Sequence, residues 1–338
     1  MPNINAQSKK HLIPLFNLFP KAASISVTFV GFVVLIGWIF NIPTLKSISP
    51  GLVTMKANTA VAFILAGISL WILCKQKIGE RVRFIAKSCA TIVALIGLFT
   101  LTEYMFGWNL GIDQLLFKES ATAVGTSHLG RMAPTTALNF LMLGFALLLL
   151  DTPHGFRATH QFFAFTGGLI GLLNFVGYAY SVKALYGIAS YTQMAVHTAV
   201  VFIVLSIGIL FARPDRGLVA IVTSSSVGGV IARRLLPIAI GVPFVLGWLR
   251  LWGEQAGLYG TEFGVSLTVL LSIVIFIFII LRNASSLNAI DTERKRAEEA
   301  LQKAHDELEI LVEERTADLA KANKELLKVI QHCINKAT

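Results

Sequence analysis

The chain has 338 residues, of which 55% are hydrophobic and only 14% are charged. Soluble domains carry about 25% charged residues, so this composition and the mean hydropathy of +0.69 exclude an ordinary soluble protein. The formal net charge of +10 does not indicate a nucleic-acid partner, because the excess Lys and Arg lie in short segments between apolar runs. We therefore expect the lipid bilayer as a partner, and no nucleic acid.

Eight apolar runs have about the length that a membrane-spanning helix needs, roughly 20 residues. They are residues 22–41, 57–74, 84–106, 133–150, 161–182, 195–212, 232–252 and 263–282. An even number of spans places both termini on one side. The segments on that side hold 13 Lys and Arg, whereas the opposite loops hold 5. By the positive-inside rule we expect both termini in the cytoplasm and a multi-pass protein of the inner (plasma) membrane.

One nine-residue phrase occurs three times, each time at the start of an apolar run: MKANTAVAF at 55–63, MAPTTALNF at 132–140 and MAVHTAVVF at 194–202. In each copy Met, Thr, Phe and a small residue recur at steps of four. Residues four apart form one ridge on a helix, so we expect each phrase to build the same helix face. The members are Met55, Thr59, Phe63 and Gly67; Met132, Thr136, Phe140 and Gly144; and Met194, Thr198, Phe202 and Ser206.

Four apolar runs, three of which precede these phrases, share a second pattern, a glycine followed seven residues later by an aromatic residue. The pairs are Gly31 and Trp38, Gly97 and Tyr104, Gly171 and Tyr178, and Gly241 and Trp248. We therefore expect four repeated two-helix units in parallel orientation, although the eighth span matches poorly. Small residues let membrane helices approach closely, so the repeat is interpreted mainly as a scaffold.

The composition changes after Arg282. Residues 284–338 hold 9 Lys and Arg, 11 Asp and Glu, and no Gly or Pro, which is typical of a long helix or coiled coil. The heptad frame shifts by four residues within the segment, which is a stutter. We expect a cytoplasmic segment at 1–21, a membrane domain at 22–283 and a cytoplasmic signalling coiled coil at 284–338. The seam residues are Leu301, Leu308, Leu311, Val312, Arg315, Leu319 and Leu326.

Polar and ionisable residues at membrane depth are candidates for function. Those near the predicted outer ends of the spans are Glu103, Tyr104, His197, Thr59, Thr136, Thr198, Tyr178, Trp248 and Arg250. They predict a polar pocket that opens to the periplasmic side. The alternative is that they are interfacial residues that reach the lipid headgroups or bond to their own helix.

Sequence patterns for catalysis, metal binding and cofactor binding are missing. The seven histidines are scattered, and Cys74, Cys89 and Cys333 have neither disulfide nor zinc spacing. The segment from Ser224 to Gly229 lacks the lysine of a phosphate-binding loop. We expect no metal, no cofactor and unpaired thiols.

Six stretches carry a resemblance to a known family. They are LTEYMFGWNLGIDQLLF (101–117), GRMAPTTALNFLMLG (130–144), ARPDRG (212–217), RRLLP (233–237), GWLRLWGEQAGLYGTEFG (247–264) and VEERTADLAKANKEL (312–326). Together they resemble the multipass N-terminal sensor region of bacterial membrane-bound signalling proteins, cyanobacterial and proteobacterial ones especially. In that family the membrane part precedes PAS domains, a histidine kinase core or a diguanylate cyclase domain.

The resemblance implies the input module of a two-component-type protein. Such a module relays a periplasmic or intramembrane stimulus through a dimeric coiled coil to a kinase, PAS or cyclase module. His332 lies in VIQHCINKAT, which is not a phospho-acceptor motif, so we expect this chain to have no enzymatic activity. We expect a homodimer because the C-terminal coiled coil pairs two chains. The alternatives are a small multipass transporter or channel, and a membrane scaffold that only dimerises.

Overall fold

The computed structural model describes residues 4–49, 51–75, 78–120, 123–151, 159–182, 191–214, 217–224 and 226–337. Within these ranges the chain forms ten α-helices and no β-strand. The helices are α1 (Ile4–Ile39), α2 (Pro43–Lys46), α3 (Ala57–Leu73), α4 (Glu80–Phe106), α5 (Pro134–Leu149), α6 (Thr159–Ala179), α7 (Val196–Phe211), α8 (Gly217–Thr223), α9 (Val227–Gln255) and α10 (Thr261–Ala337). Most of the segment 151–160, which connects the predicted spans 133–150 and 161–182, lies outside the described residues.

Each of the eight predicted apolar runs falls on a helix. Five helical segments are long and apolar enough to cross a membrane: Leu18–Ile39, Glu80–Phe106, Thr159–Ala179, Gly228–Gln255 and Thr261–Ser285. The apolar helices α3, α5 and α7 have only 16 or 17 residues. At 1.5 Å per residue they extend about 25 Å, somewhat less than a hydrocarbon core of roughly 30 Å. The prediction of an all-α, multi-pass membrane protein is confirmed.

Six of these helices pack as three pairs that close into a ring. Helix α1 packs on α3, α4 on α5, and α6 on α7. Adjacent pairs are joined because α3 also packs on α4, α5 on α6, and α7 on α1. Since α3, α5 and α7 contact one another as well, we call them the inner helices and α1, α4 and α6 the outer helices. The end of the ring at which the inner helices begin is called the loop end.

The repeated phenylalanine occupies the centre of the ring. Phe63, Phe140 and Phe202 are buried, and their ring centroids lie 4.7–4.9 Å apart. These separations are typical of aromatic side chains in mutual contact. The ridge of the repeated phrase therefore points toward the axis, where equivalent residues of three units meet.

The repeated glycine lets each outer helix touch its inner helix. A Cβ added to Gly97 would lie 2.5 Å from the carbonyl oxygen of Ala137 and 2.7 Å from the amide nitrogen of Leu141, so the two backbones are in direct contact. In the other two units, a Cβ added to the equivalent glycine would lie close to the carbonyl oxygen of the equivalent alanine. The distance is 2.8 Å from Gly31 to Ala60 and 3.1 Å from Gly171 to Ala199. Close backbone approach at small residues is how membrane helices gain packing contacts.

The repeated aromatic residue forms a hydrogen bond to the repeated methionine. The donor lies at the end of the outer helix, and the acceptor is the backbone carbonyl just before the inner helix. The bonds run from Trp38 Nε1 to Met55 O (2.9 Å), from Tyr104 Oη to Met132 O (2.9 Å) and from Tyr178 Oη to Met194 O (2.6 Å). This bond explains why the two sequence patterns occur together.

Helix α9 does not repeat this packing. A Cβ added to Gly241 would have no heavy atom within 4 Å, and Trp248 is 50% exposed. Helix α9 packs on α8, and its Phe244 stacks on Phe175 and Tyr180. The repeated packing occurs three times in the part of the chain that the structure describes, so the prediction of four equivalent units is wrong on this point.

The last helix, α10, contains 77 residues. The chain divides into two compact units, Met1–Thr268 and Val269–Thr338, and the division falls within this helix. Its apolar segment ends at Ser285, close to the predicted change from membrane domain to tail. The predicted seam residues are exposed on the helix, and the coiled coil stays a prediction.

Candidate functional site

The C-terminal end of α4 brings Glu103 to the loop between α4 and α5. Gly107 ends the helix with a φ of +67°, a left-handed conformation that glycine adopts easily and that reverses the chain direction. The loop therefore folds back over the helix end. The backbone amide of Leu110 donates a hydrogen bond to Glu103 Oε1 over 2.8 Å.

Arg131, the residue before the repeated Met132, binds two carboxyl groups. Its Nε donates to Asp113 Oδ2 (2.7 Å), and its Nη2 lies 3.5 Å from Glu103 Oε1. Nη2 also donates to the carbonyl of Trp108 (3.2 Å). The side chains of Glu103, Arg131 and Asp113 are 0%, 5% and 8% exposed. We call Glu103 and Asp113 the acidic pair, because one guanidinium faces both carboxyl groups in a site nearly closed to solvent.

One oxygen of each carboxyl group has no hydrogen-bond donor. These atoms are Glu103 Oε2 and Asp113 Oδ1, and both are buried. Both side chains contact the Arg131 guanidinium, which brings the two carboxyl groups to one site. Since an ionised carboxylate only accepts hydrogen bonds, a bond between two carboxyl groups requires a proton on one of them. The geometry can therefore hold a proton, or a cation that prefers oxygen ligands.

A second buried ion pair joins Lys56 and Glu119, whose side chains are 3% and 4% exposed. Lys56 Nζ binds Glu119 Oε1 and also donates to Thr126 Oγ1 (2.7 Å). The Glu119 carboxylate accepts further bonds from Thr54 Oγ1 (3.1 Å) and from the amide of Gly130 (2.7 Å). Burial lowers the pKa of the Lys56 ammonium from the usual 10.5, while the neighbouring carboxylate opposes this change. Unlike the acidic pair, this ion pair leaves neither carboxylate oxygen without a donor.

Residues 123–131, the last part of the loop between α4 and α5, contact all three units at the loop end of the ring. This segment reaches the first unit through the bond from Lys56 to Thr126. It reaches the third unit because Gln193 N donates to Gly125 O (2.9 Å) and Ser127 N donates to Thr192 Oγ1 (3.3 Å). It continues directly into α5 of the second unit. A movement of this segment therefore changes its contacts with all three pairs of helices.

Tyr104 links the acidic pair to the repeat and to the third unit. Its hydroxyl makes the repeat bond to Met132, while the Arg131 guanidinium lies 5.2 Å from the centre of its ring. This distance is within the range of cation–π attraction. The ring also meets Tyr191 edge-on at 5.2 Å and His128 edge-on at 5.9 Å. The predicted pocket residues Glu103 and Tyr104 thus lie in one cluster.

The first turns of the inner helices carry the other predicted residues of the loop end. Thr59, Thr136 and Thr198 are buried there. His197 occupies the position that Asn58 and Thr135 hold in the sister helices. The atoms His197 Nε2 and Thr135 Oγ1 are buried without a hydrogen-bond partner, and Asn58 Nδ2 donates to the carbonyl of Gly130 over 3.5 Å.

The remaining predicted pocket residues have other contacts. Tyr178 makes the repeat bond of the third unit. Arg250 pairs with Glu254 one turn later on α9 (3.4 Å), and its carbonyl accepts a bond from Tyr259. Trp248 is half exposed on the same helix. The contacts of the described residues therefore do not bring Trp248 or Arg250 into the cluster around Glu103.

Four residues of the site were not indicated by the sequence pattern: Lys56, Asp113, Glu119 and Arg131. The pattern shows them only as charges of the predicted outer loops. One signal was present, because Lys56 directly follows the repeated Met55 and Arg131 directly precedes the repeated Met132. The carbonyl of the repeated methionine holds the outer helix to the inner helix, so a charged residue next to this methionine is expected to be buried.

Groups of three or more His, Cys, Asp and Glu suited to holding a metal ion are not found among the described residues. Cys74 and Cys89 are free thiols. The chemistry that the described part of the loop end offers is therefore that of buried charges and hydrogen bonds.

Comparison of the chain with protein-family models, with curated proteins and with solved structures gives no match. The functional argument consequently relies on the residues and contacts of this chain.

Proposed function

We propose that this chain is the membrane-embedded input module of a bacterial signal-transduction protein of the two-component type. The proposal includes eight membrane spans, both termini in the cytoplasm of a bacterial cell and the inner membrane as its location. The chain itself is non-catalytic, and a kinase, PAS or cyclase module reads its output.

Helix α10 is the observation that carries this proposal. Its apolar segment, Thr261–Ser285, and its charged heptad segment belong to one 77-residue helix. The last glycine of the chain is Gly264 and the last proline is Pro243, so neither helix breaker interrupts the helix after its first turn. A rotation or shift of the apolar part is therefore transmitted to the charged part.

Dimerisation converts this movement into a signal. Two chains inserted in the same orientation bring their tails out side by side, so the seam from Leu301 to Leu326 pairs in parallel. The seam contains few leucines and one arginine, Arg315, and burying a leucine is worth roughly 1.5–3 kcal/mol. A coiled coil of marginal stability can exchange between two packings that differ by a few kcal/mol.

The loop end supports the input role. Two buried ion pairs, Glu119 with Lys56 and Arg131 with Glu103, attach the loop between α4 and α5 to the ring, and residues 123–131 contact all three units. A change in charge at this end therefore acts on the whole ring.

The alternative, a small transporter or channel, finds less support. The phenyl rings of Phe63, Phe140 and Phe202 meet on the axis that a solute would follow between the inner helices. A flux of solute into vesicles that contain the purified chain would favour this alternative.

The relay of the signal through α10 is tested in a fusion of the chain to a histidine kinase core. The test changes the heptad phase of the predicted coiled coil at 284–338. Deleting residues 309–312 removes the stutter and merges the two heptad frames. We expect the variant to dimerise but to hold autophosphorylation at a level that differs from the wild type. The matched control deletes residues 319–325, one whole heptad, and keeps the wild-type level. Equal autophosphorylation in all three proteins would contradict the relay, and a monomer under crosslinking in native membranes would contradict the dimer.

A further inference from the structure

The repeat provides an internal comparison for Glu103. The residue before the hydrogen-bonding aromatic is Gly37 in the first unit and Gly177 in the third, but Glu103 in the second. A Cβ added to Gly37 would lie 2.7 Å from the Cβ of Leu45, so the first unit has no room for a side chain there. The joint between outer and inner helix therefore does not need a carboxyl group. The glutamate meets a requirement of the second unit alone.

The hydrogen bonds of the acidic pair divide its oxygens into two kinds. Glu103 Oε1 and Asp113 Oδ2 receive the donors of Leu110 and Arg131, which hold the loop in place. Glu103 Oε2 and Asp113 Oδ1 receive none. Structural anchoring thus uses one oxygen of each group and leaves the second oxygen of each group available.

The charges around the pair do not balance when both groups are ionised. The Arg131 guanidinium lies against both carboxyl groups, 2.7 Å from Asp113 Oδ2 and 3.5 Å from Glu103 Oε1. The adjacent Lys56 and Glu119 neutralise each other. The aromatic neighbours, Tyr104 with Tyr191 and His128 against its ring, contribute no fixed positive charge. Two carboxylates against one guanidinium therefore leave one uncompensated negative charge in a buried site.

A buried group with excess charge takes up a proton, because burial and a like charge both favour the neutral acid. The shared proton also supplies the donor that a hydrogen bond between the two carboxyl groups requires. A water molecule would bridge the two oxygens but would leave the charge in place. We propose that Glu103 and Asp113 bind one exchangeable proton between them, and that this proton is the ligand of the loop-end site.

Release of the proton changes the forces on the loop. The O–H bond of the protonated carboxyl group breaks, the proton leaves to solvent, and two carboxylates then face each other beside one guanidinium. Their repulsion displaces Asp113, and the loop that carries it is tied to three units. Proton binding itself is independent of the proposed function, whereas its use as a stimulus rests on the sensory role proposed above.

The proton is tested on the full chain in lipid nanodiscs by infrared difference spectra between about pH 5 and about pH 9, a range in which carboxyl groups affected by burial and by a like charge titrate. We expect a C=O band of a protonated carboxyl group that disappears as the pH rises. Glu103→Gln and Asp113→Asn each remove this band. The double variant Lys56→Met with Glu119→Gln, which removes the neighbouring ion pair without leaving an unpaired charge, is the matched control and retains it. Circular dichroism checks that each variant keeps its helices.

Three results would overturn the assignment. The first is the absence of a titrating carboxyl band in the wild type. The second is its loss in the double variant Lys56→Met with Glu119→Gln while Glu103→Gln retains it. The third is its removal by Na⁺ or Ca²⁺ at constant pH, which would show a cation site. The imidazole of His128 does not contribute a C=O band, and His128→Gln is expected to leave the band unchanged.

A fusion to a kinase core separates the proton from the sensory function. The side-chain amide introduced by Glu103→Gln can donate to Asp113 as the protonated acid does, so this variant at high pH should give the autophosphorylation level of the wild type at low pH. A titrating band without any response of the kinase would support the proton and contradict the sensory role. A response to the tail deletions without a titrating band would contradict the proton and leave the relay supported.

Discussion

The hydroxyl of Tyr178 donates a hydrogen bond to the backbone carbonyl of Met194, 2.6 Å away. The same bond joins Tyr104 to Met132 and Trp38 to Met55. The donor ends an outer helix and the acceptor precedes an inner helix, so each bond closes the joint of a two-helix unit. The two sequence patterns, glycine with an aromatic residue and methionine with Thr and Phe, are therefore the two sides of one structural contact.

Replacing Tyr178 by Phe should destabilise the third unit. The Met194 carbonyl then loses its donor in a largely buried position, and the net loss of such a bond is about 1 kcal/mol. Unfolding by a denaturing detergent, followed by circular dichroism, measures the change in the free energy of unfolding. Tyr191→Phe removes the hydroxyl of an exposed tyrosine and should change this free energy by less than about 0.5 kcal/mol.

Gly97 and Gly241 form a matched pair for testing the close contact of helices. At Gly97 an added methyl group would meet the backbone of α5 at 2.5 Å, so Gly97→Ala should cost about 1–3 kcal/mol through overpacking. At Gly241 the same substitution meets nothing within 4 Å, and alanine should favour the helix by about 0.5–1 kcal/mol. Thermal unfolding in one detergent compares the two. Equal effects would contradict the contact between α4 and α5.

The lowered pKa of Lys56 predicts that the free energy of unfolding depends on pH in the alkaline range. Burial lowers the pKa of Lys56 in the folded chain below the usual value of 10.5. Between the lowered pKa and 10.5 the unfolded chain binds more protons than the folded chain, so the free energy of unfolding should rise with pH across this window and level off above it.

The double variant Lys56→Met with Glu119→Gln tests this dependence without leaving an unpaired carboxylate. It should remove the rise, which is followed by detergent unfolding at a series of alkaline pH values. Lys118→Met is the control, since Lys118 is exposed next to Glu119. A slope that is identical in the wild type and in the double variant would assign it to other groups.

The proposed topology predicts the side of the membrane on which two loops lie. Because the segments assigned to the cytoplasm carry 13 Lys and Arg and the opposite loops carry 5, we expect Ser120 outside and Glu80 inside. Alkaline phosphatase, which is active only outside the cytoplasm, should be active when fused at Ser120 and inactive when fused at Glu80. The reverse pattern would contradict the eight-span arrangement.

The amino-acid sequence by itself determined the helices, the repeat and part of the site. The eight apolar runs fall on helices, and steps of four and seven residues locate the faces that carry Phe63 and Gly97. These features are visible in the sequence because the spacing along one helix decides which side chains share a face. Glu103 and Tyr104 are indicated for the same reason, since polar residues at the end of an apolar helix are conspicuous.

The tertiary structure alone decided which faces meet. Periodicity shows that a helix has a small-residue face but not which helix covers it, so the open surface at Gly241 is not visible from the spacing that it shares with Gly97. Asp113 and Arg131 join Glu103 because the loop reverses at Gly107, and Lys56 finds Glu119 across 63 positions of sequence. Contacts between distant residues depend on how the ring of helices closes, which local spacing does not encode.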